Sequence, residues 1–220
     1  MKKTTYIAAA ITIAAGVLTL GGAAYAQTVR DTAEVRLQQV INAGAMRTDI
    51  TDADGEAVAG TPIVGLDTTD VDTAEQTTTG TYGDNTTPAS PRVFVSNPGV
   101  ATAGWTLSVA ATDGPTALWV DGANNFDYND PAANGNGQLT INPAAGTITP
   151  FGAGTTTDIA LGTQAAFSDV VDSITLVTAG AGSESVWEGT VHGMGVSQRI
   201  PGGQVPGTYT IDLTQTLTSQ

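Results

Sequence analysis

The sequence predicts an all-β protein: a single β-sandwich of about ten to twelve short strands that follows a cleaved signal peptide. Large apolar and small polar residues alternate over 104–109 and again over 207–218, as in a strand that is covered on one face. Thr, Gly, Val, Asn and Pro are abundant whereas Leu is sparse, a composition that favours strands and turns over helices. Glycine, proline, asparagine and aspartate recur between the apolar segments and indicate frequent turns.

Residues 1–26 have the pattern of an export signal. Lys2 and Lys3 precede an apolar stretch over 7–20, and Ala24 and Ala26 form a small-x-small cleavage site before Gln27. The alternative, a retained membrane anchor, is disfavoured because the apolar stretch is shorter than the roughly 20 residues that a span needs. No other stretch is apolar enough to cross a bilayer. We therefore expect a secreted protein, found outside the cell at the cell surface or in the cell wall.

The mature chain, residues 27–220, is expected to be one strongly acidic domain. Removing Lys2 and Lys3 from 7 basic and 21 acidic residues leaves a net charge of −16. Such a surface repels nucleic acid and anionic lipid, and it suits cations, a basic partner or simple solvation. The chain has no cysteine, which excludes an acyl anchor on cysteine, disulfides and thiol catalysis. Lysine is absent after Lys3, so we expect any retention at the surface to be non-covalent.

The first half of the mature chain begins with an alternating segment at 27–39, in which Val29, Ala33, Val35 and Leu37 mostly fit a period of two and predict a strand. The run 52–55, Asp-Ala-Asp-Gly, predicts a turn after a strand at 46–50. The segment 67–90 is rich in Thr and Asp with little apolar content, and predicts a long exposed loop. Further strands are predicted at 92–96, 105–111 and 118–120.

The second half continues the same pattern after an Asn- and Gly-rich loop predicted at 122–137. A Gly/Ala/Ser loop is predicted at 178–185. The chain is expected to end in a paired strand that reaches within a few residues of the C-terminus. The strands predicted in this half span 139–141, 147–149, 159–161, 170–177, 186–191, 196–200 and 209–217.

Two short motifs lie in this framework, Trp105-x-Leu107 in one strand and Gln215-Thr216-Leu217 in the last. Between them come Gly182, Trp187, Gly189, a Pro-Gly-Gly turn at 201–203 and Gly207-x-Tyr209. In this order the residues of 92–220 resemble the WxL-domain family of bacterial cell-surface proteins, which has a Trp-x-Leu motif in mid-domain and a second in its last strand. Here Gln215 stands where the second motif has Trp.

The resemblance implies a β-sandwich that attaches non-covalently to the Gram-positive cell wall, through peptidoglycan, or to other proteins in surface complexes. It marks Trp105, Leu107, Trp187, Tyr209 and Leu217 as candidate binding residues. Periodicity gives another interpretation of Trp105, since it shares one strand face with Leu107 and so is expected in the core.

The segment 40–46, Val-Ile-Asn-Ala-Gly-Ala-Met, is similar to the opening of camelysin/TasA-type secreted fibre subunits. This second resemblance implies polymerisation, in which residues 28–39 would be lent to the sheet of the next subunit. The alternative is an ordinary first strand that pairs within its own domain.

Catalysis is not expected. His192 is the one histidine, and no recognisable nucleophile motif accompanies it, although the members of a Ser–His–Asp triad meet only in space. A tryptophan beside the Asn-rich loop, Trp119, is the best candidate for an exposed platform that stacks on a sugar ring.

Calcium is the candidate cofactor, because hard cations prefer the carboxylate and amide oxygens in which the loop is dense. The predicted ligands are Asp121, Asp127, Asn129 and Asp130. A second, weaker cluster comprises Asp49, Asp52, Asp54 and Glu56. Asn and Asp also populate turns for purely local reasons, which is the competing interpretation of both clusters.

The sequence thus predicts a non-catalytic surface protein whose partner is peptidoglycan or another surface protein. The alternative is a subunit of an extracellular fibre or layer, with a second copy of the chain as its partner.

Overall fold

Fourteen β-strands form the framework of the described part of the chain. The computed structural model describes residues 38–39, 44–59, 62–83, 91–133 and 135–220; the predicted signal peptide and most of the predicted strand at 27–39 lie outside them. Short 3₁₀ turns occur at Gly114–Thr116 and Pro143–Ala145. The strands are β1 Arg47–Thr51, β2 Gln76–Tyr82, β3 Arg92–Pro98, β4 Trp105–Ala111, β5 Leu118–Asp121, β6 Asn124–Asp127, β7 Gln138–Asn142, β8 Thr147–Pro150, β9 Ile159–Leu161, β10 Ala165–Ala166, β11 Ser173–Ala179, β12 Val186–His192, β13 Met194–Ile200 and β14 Leu213–Ser219.

The strands form three four-stranded antiparallel sheets and one hairpin, all within residues 41–220. Sheet A has the order β1-β3-β12-β8, sheet B the order β10-β7-β13-β2 and sheet C the order β14-β4-β11-β9, while β5 pairs only with β6. The prediction of an all-β, sandwich-like fold is confirmed. Among the described residues, no helix has the length and hydropathy to cross a membrane.

Sheets A and B meet at a corner that one continuous stretch of chain turns. Strand β12 ends at His192 and β13 begins at Met194, so Gly193 alone separates the strand of sheet A from the strand of sheet B. Gly193 has a φ of 75°, which glycine adopts without a Cβ penalty, and its N–H donates to the carbonyl oxygen of Gly83. The bend therefore costs little strain and is held by a backbone hydrogen bond.

Sheet C covers the core through β4. Inward and outward residues alternate along this strand, and Trp105, Leu107, Val109 and Ala111 are all buried. The ring of Trp105 lies 5.6 Å from the ring of Trp187 in β12, at an interplanar angle of 37°. This contact joins sheet C to sheet A, and it is within the range in which aromatic pairs attract each other beyond the area they bury.

Gly104 allows this contact to form. Its φ is 114°, and a Cβ at this position would lie 2.2 Å from the carbonyl oxygen of Ala179 at the end of β11. Only glycine therefore lets the start of β4 approach β11 closely enough to place Trp105 in the core.

The predicted loops contain two strands that the sequence does not reveal. The loop predicted at 67–90 includes β2, which pairs along its whole length with β13. Its sequence, Gln-Thr-Thr-Thr-Gly-Thr-Tyr, has almost no apolar residues, so periodicity cannot detect it. The loop predicted at 122–137 includes β6, the second half of the β5–β6 hairpin.

Most predicted strands agree with the structure to within two residues at each end, but two begin three or four residues later than predicted. Strand β11 spans Ser173–Ala179 rather than 170–177, and Val170 is 88% exposed before it. The last strand begins at Leu213 rather than 209, because Thr210 forms a bridge with Val120 of the hairpin instead of pairing with β4.

We expect Trp105→Ala to lower the free energy of unfolding by about 3–5 kcal/mol, because it removes a fully buried indole from the contact between two sheets. Urea denaturation followed by circular dichroism measures the change. Val170→Ala, at an exposed site, is the control and should change stability by less than about 0.5 kcal/mol. Equal effects of the two substitutions would contradict this account of the core.

Candidate interaction surface

Three of the predicted binding residues are core residues. Trp105 and Leu107 have no exposed surface and Trp187 is 1% exposed, so none of them can touch a ligand in the folded protein. The Trp187 indole N–H also has an internal acceptor, the carbonyl oxygen of Thr155 at 2.8 Å. The prediction of these residues as direct contacts is therefore corrected: their role is to hold the sheets together.

Trp119 belongs to a packed aromatic cluster rather than to an open platform. Its ring stacks on Phe126 at 5.9 Å, and Phe126 lies 5.0 Å from the ring of Tyr209. The Trp119 indole N–H donates to Oε1 of Gln198 at 2.9 Å, and the Tyr209 hydroxyl donates to the carbonyl oxygen of Val205 at 2.8 Å. The cluster fastens the β5–β6 hairpin to the segment before β14.

The structure does not assemble the predicted calcium ligands. Asp121 and Asp127 lie at opposite ends of the hairpin, since Asp121 pairs with Asn124 and Asp127 pairs with Leu118. Three residues of strand separate them by about 10 Å. The Asp130 carboxylate already accepts hydrogen bonds from the backbone of Ala132 and Asn136.

The remaining ligands and the second cluster have local roles as well. The Asn129 amide donates to the carbonyl oxygen of Pro115 at 3.0 Å. Asp52 accepts from the backbone N–H groups of Asp54 and Glu56, so it stabilises a turn. No group of three or more acidic or histidine side chains in the described part of the chain lies close enough to hold a metal.

Burial and hydrogen bonding shift the pKa values of two aspartates, Asp127 at the end of β6 and Asp130 shortly after it. Desolvation raises the pKa of Asp127, and the negative charge of Asp130 raises it further. Hydrogen bonds from the backbone of Asn136 and Ala132 lower the pKa of Asp130. Desolvation thus accounts for the shift of Asp127, and hydrogen bonds from the backbone of its own loop account for the shift of Asp130.

The two motif segments lie side by side in sheet C. In the ladder between β14 and β4, Leu217 pairs with Leu107 and Gln215 pairs with Val109. Leu213, Gln215 and Leu217 are half-buried on the inner face, whereas Thr214, Thr216 and Thr218 are exposed. Strand β14 is an edge strand, because β4 is its one partner among the described residues.

Gln215 links three strands across the open side of the sandwich. Its Nε2 donates to the hydroxyl of Tyr82 in β2, and its Oε1 lies 3.1 Å from the hydroxyl of Thr48 in β1. Burial raises the pKa of Tyr82 to about 12, while the bond from Gln215 opposes that rise. Tyr82 therefore stays neutral, and a polar bridge occupies the position at which the second motif has Trp.

His192 lies at the corner between sheets A and B. Its Nε2 is 2.9 Å from the hydroxyl of Thr149, and its Nδ1 is buried without a hydrogen-bond partner among the described residues. Burial lowers the pKa of His192, and the positive charge of Arg92 lowers it further. In the described part of the chain no carboxylate orients this imidazole, as the base of a catalytic triad requires.

We expect Gln215→Ala to lower the free energy of unfolding by about 1–2 kcal/mol, because it removes two hydrogen bonds and leaves the Tyr82 hydroxyl without its donor. Thr216→Ala is the control on the adjacent exposed position. Thermal or urea unfolding of both variants tests the bridge, and an unchanged stability for Gln215→Ala would show that the link is dispensable.

We expect the fold to lose stability as the pH falls below about 6.5, the unperturbed pKa of histidine. The folded state resists protonation of His192 whereas the unfolded chain takes up the proton. The stabilisation is therefore complete above the unfolded pKa and is lost as the pH falls through the lower folded one.

Urea unfolding at about pH 7.5 and about pH 5.5, where most carboxylates remain charged, measures this loss. His192→Gln keeps a polar group beside Thr149 and should remove most of the difference. A variant with the same pH dependence as the parent chain would assign the effect to other groups.

Comparison of the chain with protein-family models, curated proteins and solved structures gave no significant match. Its function must therefore be inferred from its own residues and their arrangement. In the described part of the chain, the arrangement offers two seven-residue edge strands without charged side chains, β14 and β2, on an acidic sandwich.

Proposed function

We propose that this chain is an exported, non-catalytic bacterial surface protein that attaches non-covalently to peptidoglycan or to other surface proteins. The observation that carries the proposal is the pairing of the two motif strands, with Leu217 of β14 directly opposite Leu107 of β4. The order of these motifs is the basis of the resemblance to WxL domains. The export-type segment at 1–26 and the absence of lysine after Lys3 agree with secretion and non-covalent retention.

Trp105 and Leu107 are buried, so they can affect an attachment surface only through the strands that they hold in place. Trp105 and Leu107 hold β4 in the core, and β4 in turn positions the exposed threonines of β14. The motif would therefore support a binding surface without contributing its own side chains to it.

Co-sedimentation of residues 27–220 with purified Gram-positive peptidoglycan tests attachment. We expect the protein to pellet with the wall, to stay bound at raised salt and to be released by denaturant, since no covalent bond holds it. Trp105→Ala is the control for folding and should reduce binding. Protein that remains in the supernatant, in the same amount as without wall, would refute wall attachment and leave a protein partner as the target.

Gln215→Trp tests the departure from the second motif. If the missing Trp contributes to wall contact, this variant should bind more wall than the parent chain. If wall binding depends on the fold alone, the two should bind equally, provided that the variant remains folded.

A fibre or layer subunit is the second candidate, and the edge of β2 favours it. No strand of the described residues pairs with β2 on this side. The edge is met there by the Leu66–Gly80 bridge and by Asp67, which donates its N–H to the Thr79 carbonyl and accepts from the hydroxyls of Thr78 and Thr79. Beside it lies a groove of about 420 Å³ whose lining includes Ile63, which is 75% exposed, with Val64 and Pro91. Strand addition uses a free sheet edge for backbone hydrogen bonds and a flanking groove for side chains.

Light scattering on residues 27–220 and on residues 40–220 separates the two functions. A fibre that uses the N-terminal segment as its donor strand predicts large assemblies for the longer chain alone. Assemblies of the same size from both chains, or none from either, would contradict that mechanism.

A further inference from the structure

The outer edge of β14 presents backbone groups that the described residues do not use. Thr112 N–H bonds to the Asp212 carbonyl and Gln220 N–H bonds to the Gly104 carbonyl, so the even-numbered residues of β14 face β4. In an antiparallel ladder the intervening residues point the other way. The N–H and C=O groups of Leu213, Gln215, Leu217 and Ser219 therefore point away from the sheet.

This edge lacks the usual protections against pairing. Proteins shield edge strands with charges, proline, bulges or short length. Strand β1 has Arg47 and Asp49, β8 ends at Pro150, and β9 and β10 have three and two residues. Strand β14 has seven residues, Leu-Thr-Gln-Thr-Leu-Thr-Ser, with no charge, no proline, no glycine and a regular register with β4.

The edge is complementary to itself. In an antiparallel pair of two β14 strands related by a two-fold axis at Thr216, Leu213 faces Ser219 and Gln215 faces Leu217. All outward backbone groups then find partners, about eight hydrogen bonds in all. On the exposed face, Thr214 lies opposite Thr218 and Thr216 opposite its own copy, and cross-strand Thr–Thr pairs are favourable.

Charge also favours this edge over the rest of the surface. The whole chain has a net charge of −14, so two copies repel each other at most approaches. No charged side chain lies between Leu213 and Gln220, so the strand itself adds no charge repulsion when two copies approach along it. Added salt screens the remaining repulsion and should strengthen the pairing.

We propose that a second copy of this chain pairs with β14, so that two copies of sheet C join into one eight-stranded antiparallel sheet. A two-fold pairing uses the same edge on both chains and closes on itself, so it yields a dimer and not a filament. The proposal goes beyond attachment to the wall, and neither depends on the other.

Disulfide trapping tests the predicted register, since the chain has no cysteine of its own. The two copies of residue 216 form a non-hydrogen-bonded pair with Cα atoms about 4.5 Å apart, within the range for a disulfide. Thr216→Cys should therefore give a covalent dimer on mild oxidation. Thr175→Cys is the matched control, an exposed threonine on the same face of sheet C but two strands from the edge, and should give no covalent dimer on the same treatment.

A charge exchange tests the same register without a covalent bond. In Thr214→Glu/Thr218→Glu, two acidic pairs face each other across the dimer, whereas Thr214→Lys/Thr218→Glu places opposite charges there. Within one chain residues 214 and 218 are about 13 Å apart, so the two introduced charges interact weakly within a monomer. The acidic variant is two charges more negative than the exchanged one, and measurement at raised salt screens this difference in net charge. We expect the acidic variant to dimerise about tenfold more weakly than the exchanged one.

Light scattering over a concentration series measures both variants and the parent chain. A parent chain that stays monomeric throughout would overturn the proposal, including the case in which residues of its own N-terminal segment cover the edge. Equal trapping of the two cysteine variants, or equal dimerisation of the two charge variants, would overturn the register. Wall binding measured on the same variants is a separate readout, so failure of the dimer does not count against attachment.

Discussion

The contact between Trp105 and Trp187 is the interaction on which the rest of the structure depends. It joins the central strand of sheet C to a central strand of sheet A, with both side chains fully buried. Gly104 makes it possible by removing the Cβ that would collide with the carbonyl of Ala179. Once β4 is fixed in this way, its two neighbours β14 and β11 are fixed as well, because both pair with it along their length.

Hydrogen bonds supplement apolar packing at the sides of the sandwich. Gly193 turns the chain from sheet A to sheet B, and Gln215 ties the edge of sheet C to Tyr82 and Thr48. A Trp in place of Gln215 would bring more apolar area to this opening but would lose both hydrogen bonds. At the position where the second Trp-x-Leu motif has Trp, this chain therefore has an amide that hydrogen-bonds to Tyr82 of β2 and to Thr48 of β1.

The acidic surface and the uncharged edges have opposite effects on association. A strongly negative surface keeps copies apart and disfavours nucleic acid and anionic lipid. The edges of β14 and β2 offer backbone hydrogen bonds that are insensitive to side-chain identity. In the proposed dimer the geometry of the edge therefore selects the contact, since the net charge disfavours association in general.

The sequence by itself determined the all-β class and the strands that have an apolar face. In β4 the alternation of Trp105, Leu107 and Val109 reports burial on one side, and that signal is local. Alternation could not reveal β2, because its threonines form a strand only by pairing with β13. Nor could it show that the register of the β5–β6 hairpin separates Asp121 from Asp127. Only the tertiary structure decided that Trp119 is packed and that the odd-numbered backbone groups of β14 face outward. The reason is physical: alternation records which face of a strand is covered, whereas pairing and register depend on residues that are distant in the chain.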